Sequence, residues 1–135
     1  MENHELIQMA IEAKKNAYTP YSHFNVGAAL VTKNGKVFTG CNVECSSYGM
    51  TLCAERTALV KAVSEGYTDF EKIAVVGGPE DKLLYTTPCG ACRQFLADFN
   101  QDMEVIMSFK KDDALQCKEM KLKDLLPETF ELRSE

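Results

Sequence analysis

The sequence predicts a three-layer α/β/α domain built on a mixed sheet. Helical and extended patterns follow one another in the order α-β-β-α-β-α-β-β, the arrangement of a sheet covered by helices. The first two strands flank Asn34-Gly35, a tight-turn dipeptide that makes them antiparallel. The chain of 135 residues is long enough to bury a core of its own as one domain, residues 1–135.

Each element has a local reason. Over residues 3–17, Leu6, Ile7, Ala10, Ile11, Lys14 and Ala17 fall at helical spacing and predict an amphipathic opening helix. Tyr18-Thr19-Pro20-Tyr21-Ser22 breaks it, because proline disfavours helix in the residue before it. Strands are expected from Val26 to Thr32 and from Lys36 to Cys41, and a polar loop from Asn42 to Met50. A helix then runs from about Thr51 to Gly66, with Ala54, Ala58, Leu59, Ala62 and Val63 inward and Gly66 as its stop. Ile73–Val76 reads as a buried strand. Pro88 suits the first turn of a helix that reaches about Phe99. Val105–Phe109 is a fourth strand, the Met120 region a fifth, and Lys121–Leu126 a short last helix. No internal repeat, low-complexity segment or interdomain linker interrupts this order.

Composition excludes several classes of function. Apolar residues make up 45% and charged residues 26%, the balance of an ordinary globular protein. No apolar run approaches the ~20 residues that span a bilayer. The opening residues are polar and helical rather than a secretory signal, so the expected location is the cytosol. A net charge of -5 and a pI near 5.1, with scattered Lys and Arg, argue against a nucleic-acid partner.

Six cysteines in a cytosolic chain point to metal or catalysis before disulfides. Cys41 and Cys117 lie in strand-like surroundings and are expected to be small buried hydrophobes; Cys45 falls in the polar loop. The strongest pattern is Cys53-Ala54-Glu55 followed by Pro88-Cys89-Gly90-Ala91-Cys92. Cys89 and Cys92 are three apart, so both thiols face one way in the first turn of a helix. Cys53 stands near the start of another. Two helix N-termini that meet would gather three sulfurs and favour their thiolates. Three protein ligands leave a fourth tetrahedral position for water, the catalytic form of a zinc site. Glu55, two residues from a ligand, is the group placed to move protons.

A structural zinc site would need a fourth ligand, for which Cys41, Cys45 and Cys117 are available. A redox pair at Cys89 and Cys92 would leave Cys53 and Glu55 without purpose.

Asn42-Val43-Glu44, Cys53-Ala54-Glu55-Arg56-Thr57-Ala58 and Pro88-Cys89-Gly90-Ala91-Cys92-Arg93-Gln94 closely resemble the small homotetrameric zinc-dependent cytidine deaminases. The resemblance extends from Ala17-Tyr18 to Leu125-Leu126-Pro127. It implies a five-stranded mixed sheet, a homotetramer with sites near subunit boundaries, and hydrolytic deamination of cytidine and deoxycytidine. Position by position, it implies that Phe24 packs on the pyrimidine, Asn42 and Glu44 bond the ribose hydroxyls, and Ala54 meets the base through its backbone. It makes Cys53, Cys89 and Cys92 the zinc ligands and Glu55 the proton carrier. Arg56 has a physical rationale besides: three thiolates on one Zn²⁺ leave a net negative centre, and a guanidinium bonded to a sulfur withdraws some of that charge.

Two positions depart from the family pattern: Cys45 replaces a common Asn, and Phe130 matches the family's late aromatic only through an offset Leu-Pro-x-x-Phe. The rival readings are a deaminase of a related aminopyrimidine nucleoside such as blasticidin S, and a non-catalytic zinc-binding module. A polynucleotide base deaminase fits less well, with Cys rather than His at position 53.

Overall fold

In a computed structural model, which describes residues 1–132, five strands form one mixed sheet. The elements are α1 (Asn3–Lys14), β1 (Asn25–Thr32), β2 (Val37–Cys41), α2 (Ala54–Ser64), β3 (Phe70–Gly78), α3 (Gly90–Ala97), β4 (Glu104–Lys111), β5 (Ala114–Lys121) and α4 (Leu122–Leu125). A 3-10 turn occupies Tyr48–Met50. The strand order is β2-β1-β3-β4-β5. β1 is antiparallel to β2 and β3, β3 is parallel to β4, and β4 is antiparallel to β5.

The three layers follow from the period of two along the central strands. Ala29, Val31, Ala74, Val76 and Ile106 point to one face and pack with Leu6, Ile7 and Ala10 of α1. Their neighbours Ala28, Leu30, Ile73, Val75 and Val105 point to the other, against Ala58 and Leu59 of α2, Leu96 of α3 and Leu122. Because both faces are covered, these strands read as unbroken apolar runs rather than as alternation.

This topology builds the site. β2 and β3 both run antiparallel to the strand between them, so they point the same way. The helix that follows each therefore begins at the same end of the sheet. The N-termini of α2 and α3 are thus brought together. Gly40 sets how closely α2 seats on β2. A Cβ there would lie 2.5 Å from the Ala54 carbonyl oxygen and 2.6 Å from the Ala58 nitrogen.

Several boundaries differ from the expectation, each for a reason in the chain. α1 stops at Lys14, and Ala17 lies beyond it, because Tyr18 pairs as a β-bridge with Val43. Lys14 is not an apolar contact: its buried ammonium donates to the Pro79 and Glu80 carbonyls, at 3.0 Å each, and ties the loop after β3 to the helix. α2 begins at Ala54 rather than Thr51, because Leu52 exchanges backbone hydrogen bonds with Val43. Pro88 and Cys89 precede α3, whose first residue is Gly90. β5 spans eight residues, of which the sequence signalled only the end. Cys117 is exposed on this edge strand and Cys41 is only half-buried, so neither is the core hydrophobe expected. Among the described residues, no helix is long and apolar enough to cross a membrane.

Candidate active site and metal centre

Cys53 and Cys89 each occupy the position just before the first turn of their helices, in extended backbone, and Cys92 sits in the first turn of α3. The Cys53 and Cys89 sulfurs are 3.7 Å apart, those of Cys89 and Cys92 3.5 Å, and all three lie within 4.8 Å of one another. A tetrahedral zinc with Zn–S bonds of about 2.3 Å separates its sulfurs by roughly 3.8 Å, so the two measured separations suit that ion. Among the described residues no fourth His, Cys, Asp or Glu joins the group. Cys41, Cys45 and Cys117 therefore do not close the site, and one coordination position is left for something other than protein.

The electrostatics set Cys53 and Cys92 apart. A hydrogen bond from the Cys92 thiol, opposed by burial and reinforced by Arg56, pulls Cys53 down to about 5. Cys92, the donor in that pair and fully buried, is pushed up. Arg56 Nη2 donates to Cys53 Sγ at 3.4 Å and to the Thr51 carbonyl at 3.2 Å. Its Nε is buried with no partner among the described residues, beside sulfurs that become acceptors once deprotonated.

Cys53 and Cys89 edge a cavity of about 340 Å³, room for a small ligand. Phe24, Asn42, Glu44, Cys53, Ala54, Glu55 and Cys89 line it, so the fold unites most of the residues picked from the sequence. Cys92 lies behind the thiol edge and Arg56 behind Cys53. Glu55 follows Cys53 into the first turn of α2 and is 3% exposed; burial, with the charge of Cys53 adding to it, pushes its carboxyl up to about 7. A proton carrier is most effective when its pKa lies near the working pH.

The opposite wall is pre-arranged by hydrogen bonds. Asn42 Oδ1 accepts from the Val26 N–H at 2.9 Å, and Nδ2 donates to the Phe24 carbonyl at 2.8 Å. The amide thus pins the start of β1, and one N–H remains for a ligand. Burial alone would raise the pKa of Glu44, but Ser22 Oγ, the Ser22 and Tyr21 N–H groups (3.1 Å each) and Tyr48 donate to it. Those bonds hold it below the usual carboxylate range.

Ser22, Tyr48, Thr51, Thr86 and Thr87 also line the cavity and were not picked out from the sequence. Ser22 could have been found, since it stands in the broken segment that leads to Phe24. Thr86 and Thr87 lie in a loop without periodicity and carried no signal, and Thr51 signalled only the start of a helix. Phe130 is 66% exposed and lies outside the cavity lining, its carbonyl accepting from Gln94 Nε2 at 3.2 Å. Cys45, half-buried, is also outside that lining; its backbone N–H donates to Thr51 Oγ1 at 3.3 Å.

Converging thiols beside a buried carboxylate, at the edge of a small-molecule cavity, define a metal-dependent hydrolytic enzyme. Residues 1–108 match the family model of the cytidine and deoxycytidylate deaminase zinc-binding region. The chain belongs to this family. It is similar to a cytidine deaminase of Halalkalibacterium halodurans, 47% identical over 131 residues that span 96% of this chain and 95% of the relative. A probable cytidine deaminase of Dictyostelium discoideum is 55% identical over 108 residues, 77% of this chain and 71% of that one. The crystal structure of a cytidine deaminase from Burkholderia pseudomallei superposes with a TM-score of 0.85 at 47% identity, covering 96% of this chain and all of the other. A blasticidin-S deaminase of Bacillus cereus is more distant, 33% identical over 76% of each chain. Zinc is the family's metal, and the sulfur spacing suits it.

Proposed function

We propose that this chain converts cytidine and deoxycytidine to uridine and deoxyuridine with release of ammonia, a step of pyrimidine salvage in the cytosol. The observation that carries the reading is the placement of Glu55, buried in the cavity two residues past Cys53 of the three-thiol cluster. Cys53, Cys89 and Cys92 would hold zinc, which when bound would supply a Lewis acid that makes a water proton easy to remove. Glu55 takes that proton and gives it to ring N3. The water oxygen forms a bond to C4. Glu55 then carries the proton of the new C4 hydroxyl to the exocyclic amine, and the C4–N bond breaks as the C4 carbonyl forms and ammonia leaves. Phe24 offers a ring face to the pyrimidine, the Ala54 backbone meets its edge, and Asn42 and the ionised Glu44 take the ribose hydroxyls.

Measuring ammonia release from cytidine, deoxycytidine and blasticidin S side by side tests the substrate. Turnover of cytidine should exceed that of blasticidin S; the reverse order, or no turnover of the nucleosides, would sink the reading. A buried acid aimed into the cavity, which a purely structural zinc module would not need, speaks against that second possibility.

Arg56 serves the metal rather than the substrate. Arg56→Gln removes the charge that bonds Cys53 and should cost ~10–100-fold in zinc affinity or turnover, as loss of a ligand's hydrogen-bond partner does elsewhere. Unchanged zinc retention under a chelator, together with unchanged turnover, would show Arg56 to be a bystander.

The assembly we propose is a homotetramer. Its support, beyond the family resemblance, is the apolar rim of the site. Tyr48 of the cavity lining is 58% exposed, its ring neighbour Tyr21 53% and Met50 70%, and Leu84 and Tyr85, just before Thr86 of the lining, are exposed as well. Clustered exposed aromatics of this kind mark association surfaces. Multi-angle light scattering should return four times the 15.1 kDa chain mass. An active monomer at assay concentration would overturn this.

A further inference from the structure

We propose that Gly77 and Thr86 together form a positioning pair that sets the location of the Phe24 ring and the width of the base-binding end of the cavity. The inference rests on the nucleoside reading above and adds residues that reading does not use. Gly77 is the penultimate residue of β3, fully enclosed, and opposite Val26 in the register with β1. It has ordinary backbone, so its lack of a side chain is not required by conformation. What requires it is space. A Cβ at position 77 would lie 2.6 Å from Thr86 Oγ1, 2.9 Å from Thr86 Cγ2 and 3.1 Å from Phe24 Cε1. Those two side chains both line the cavity and fill the volume that position 77 leaves free.

Thr86 cannot simply turn away. Its hydroxyl donates to the Leu84 carbonyl at 3.0 Å, and the strand end and loop are locked together where Leu84 N–H donates to the Gly77 carbonyl at 2.7 Å. The loop is held further out by Lys14 on the Pro79 and Glu80 carbonyls and by the Lys110 N–H on the Leu83 carbonyl at 2.9 Å. A β-branched side chain is stiff at its first torsion, so a methyl added at Gly77 must push Thr86 into the cavity or press on Phe24. The Phe24 backbone is held where Asn42 bonds its carbonyl, so the ring can answer such pressure only by turning about its own side-chain bonds. The metal cluster is on other residues and stays as it is.

The experiment is a cycle of Gly77→Ala, Thr86→Ala and the double variant, with KM and kcat on cytidine and zinc content for each. Gly77→Ala should raise KM about tenfold while kcat stays within about threefold and zinc remains at wild-type stoichiometry, the mark of a misplaced binding wall rather than damaged chemistry. Thr86→Ala removes the atoms the new methyl meets first, so the double variant should bring KM back to within about threefold of Thr86→Ala alone. Should Gly77→Ala be insoluble, Thr86→Leu loads the same space from the loop without touching the sheet and should raise KM likewise. A wild-type KM in Gly77→Ala or in Thr86→Leu overturns the pair, as does a double variant no better than Gly77→Ala. A wild-type protein that releases no ammonia from cytidine would instead remove the nucleoside reading, and this inference with it.

Discussion

Cys92→Ala is expected to lose zinc and activity together. The residue is fully buried, and its sulfur completes the three-thiol cluster from the first turn of α3. Removing a group that merely orients a metal ligand costs about 10–100-fold in affinity, so removing one of three ligands should exceed that. Two thiolates and a methyl cannot hold the ion in a tetrahedral site that already has only three protein donors. Cys53→Ala and Cys89→Ala should behave alike. Cys89 is exposed, so its truncation disturbs packing least and separates metal loss from misfolding. Cys41→Ala and Cys117→Ala should keep one zinc per chain, because neither belongs to the cluster. The check is metal analysis alongside ammonia release, with circular dichroism to confirm the fold. Zinc retained in Cys92→Ala, or lost in Cys117→Ala, would overturn the ligand assignment.

The three-thiol cluster was legible because its chemistry is written in spacing. Cys89 and Cys92 three apart, and Cys53 two before Glu55, constrain which side chains share a helix turn whatever the rest of the chain does. The sequence could not show why the two helices meet. That depends on β2 and β3 running the same way on either side of β1, a property of long-range pairing. The central strands were legible as apolar runs, since burial on both faces removes the polar alternate positions. β5 was mostly illegible for the opposite reason. Nearly all its residues are exposed, so neither face leaves an apolar stripe, and only Met120 gave a hint. Its turn did leave a trace: Asp112 and Asp113 both adopt positive φ, the conformation of a tight hairpin that Asp tolerates.

The errors at helix starts share one cause. Thr51 and Pro88 fit a first turn by local preference, but Leu52 is claimed by a bridge to Val43, and α3 begins only at Gly90. The delay has a geometric consequence. It leaves Cys53 and Cys89 in extended backbone just ahead of their helices, where the thiols face both the helix ends and the cavity. Lys14 was misread because a long amphipathic side chain at a helical position looks like part of the apolar stripe until its ammonium is seen to be paired.

Glu55→Gln should be the most damaging substitution that leaves the site assembled. Glutamine keeps the size and hydrogen-bonding capacity of glutamate but cannot take up and hand on a proton. General acid–base catalysis by one positioned group is typically worth ~10²–10⁴-fold, and in the proposed mechanism the same carboxyl serves N3 and the departing amine, so the loss should reach at least the upper end, about 10⁴-fold. Because Glu55 is not among the metal-holding group, zinc should remain at one per chain. Nor should folding suffer. Glu55 is 3% exposed, and burying an ionised carboxylate opposes folding in a way that a neutral amide avoids. Nucleoside binding should survive as well, since Phe24, Asn42 and Glu44 are untouched. The measurement is single-turnover and steady-state ammonia release from cytidine, with zinc content and melting temperature on the same preparation. A variant that sheds its metal would make Glu55 part of the ion's support, and one that keeps near-normal turnover would leave the proton transfers to some other group.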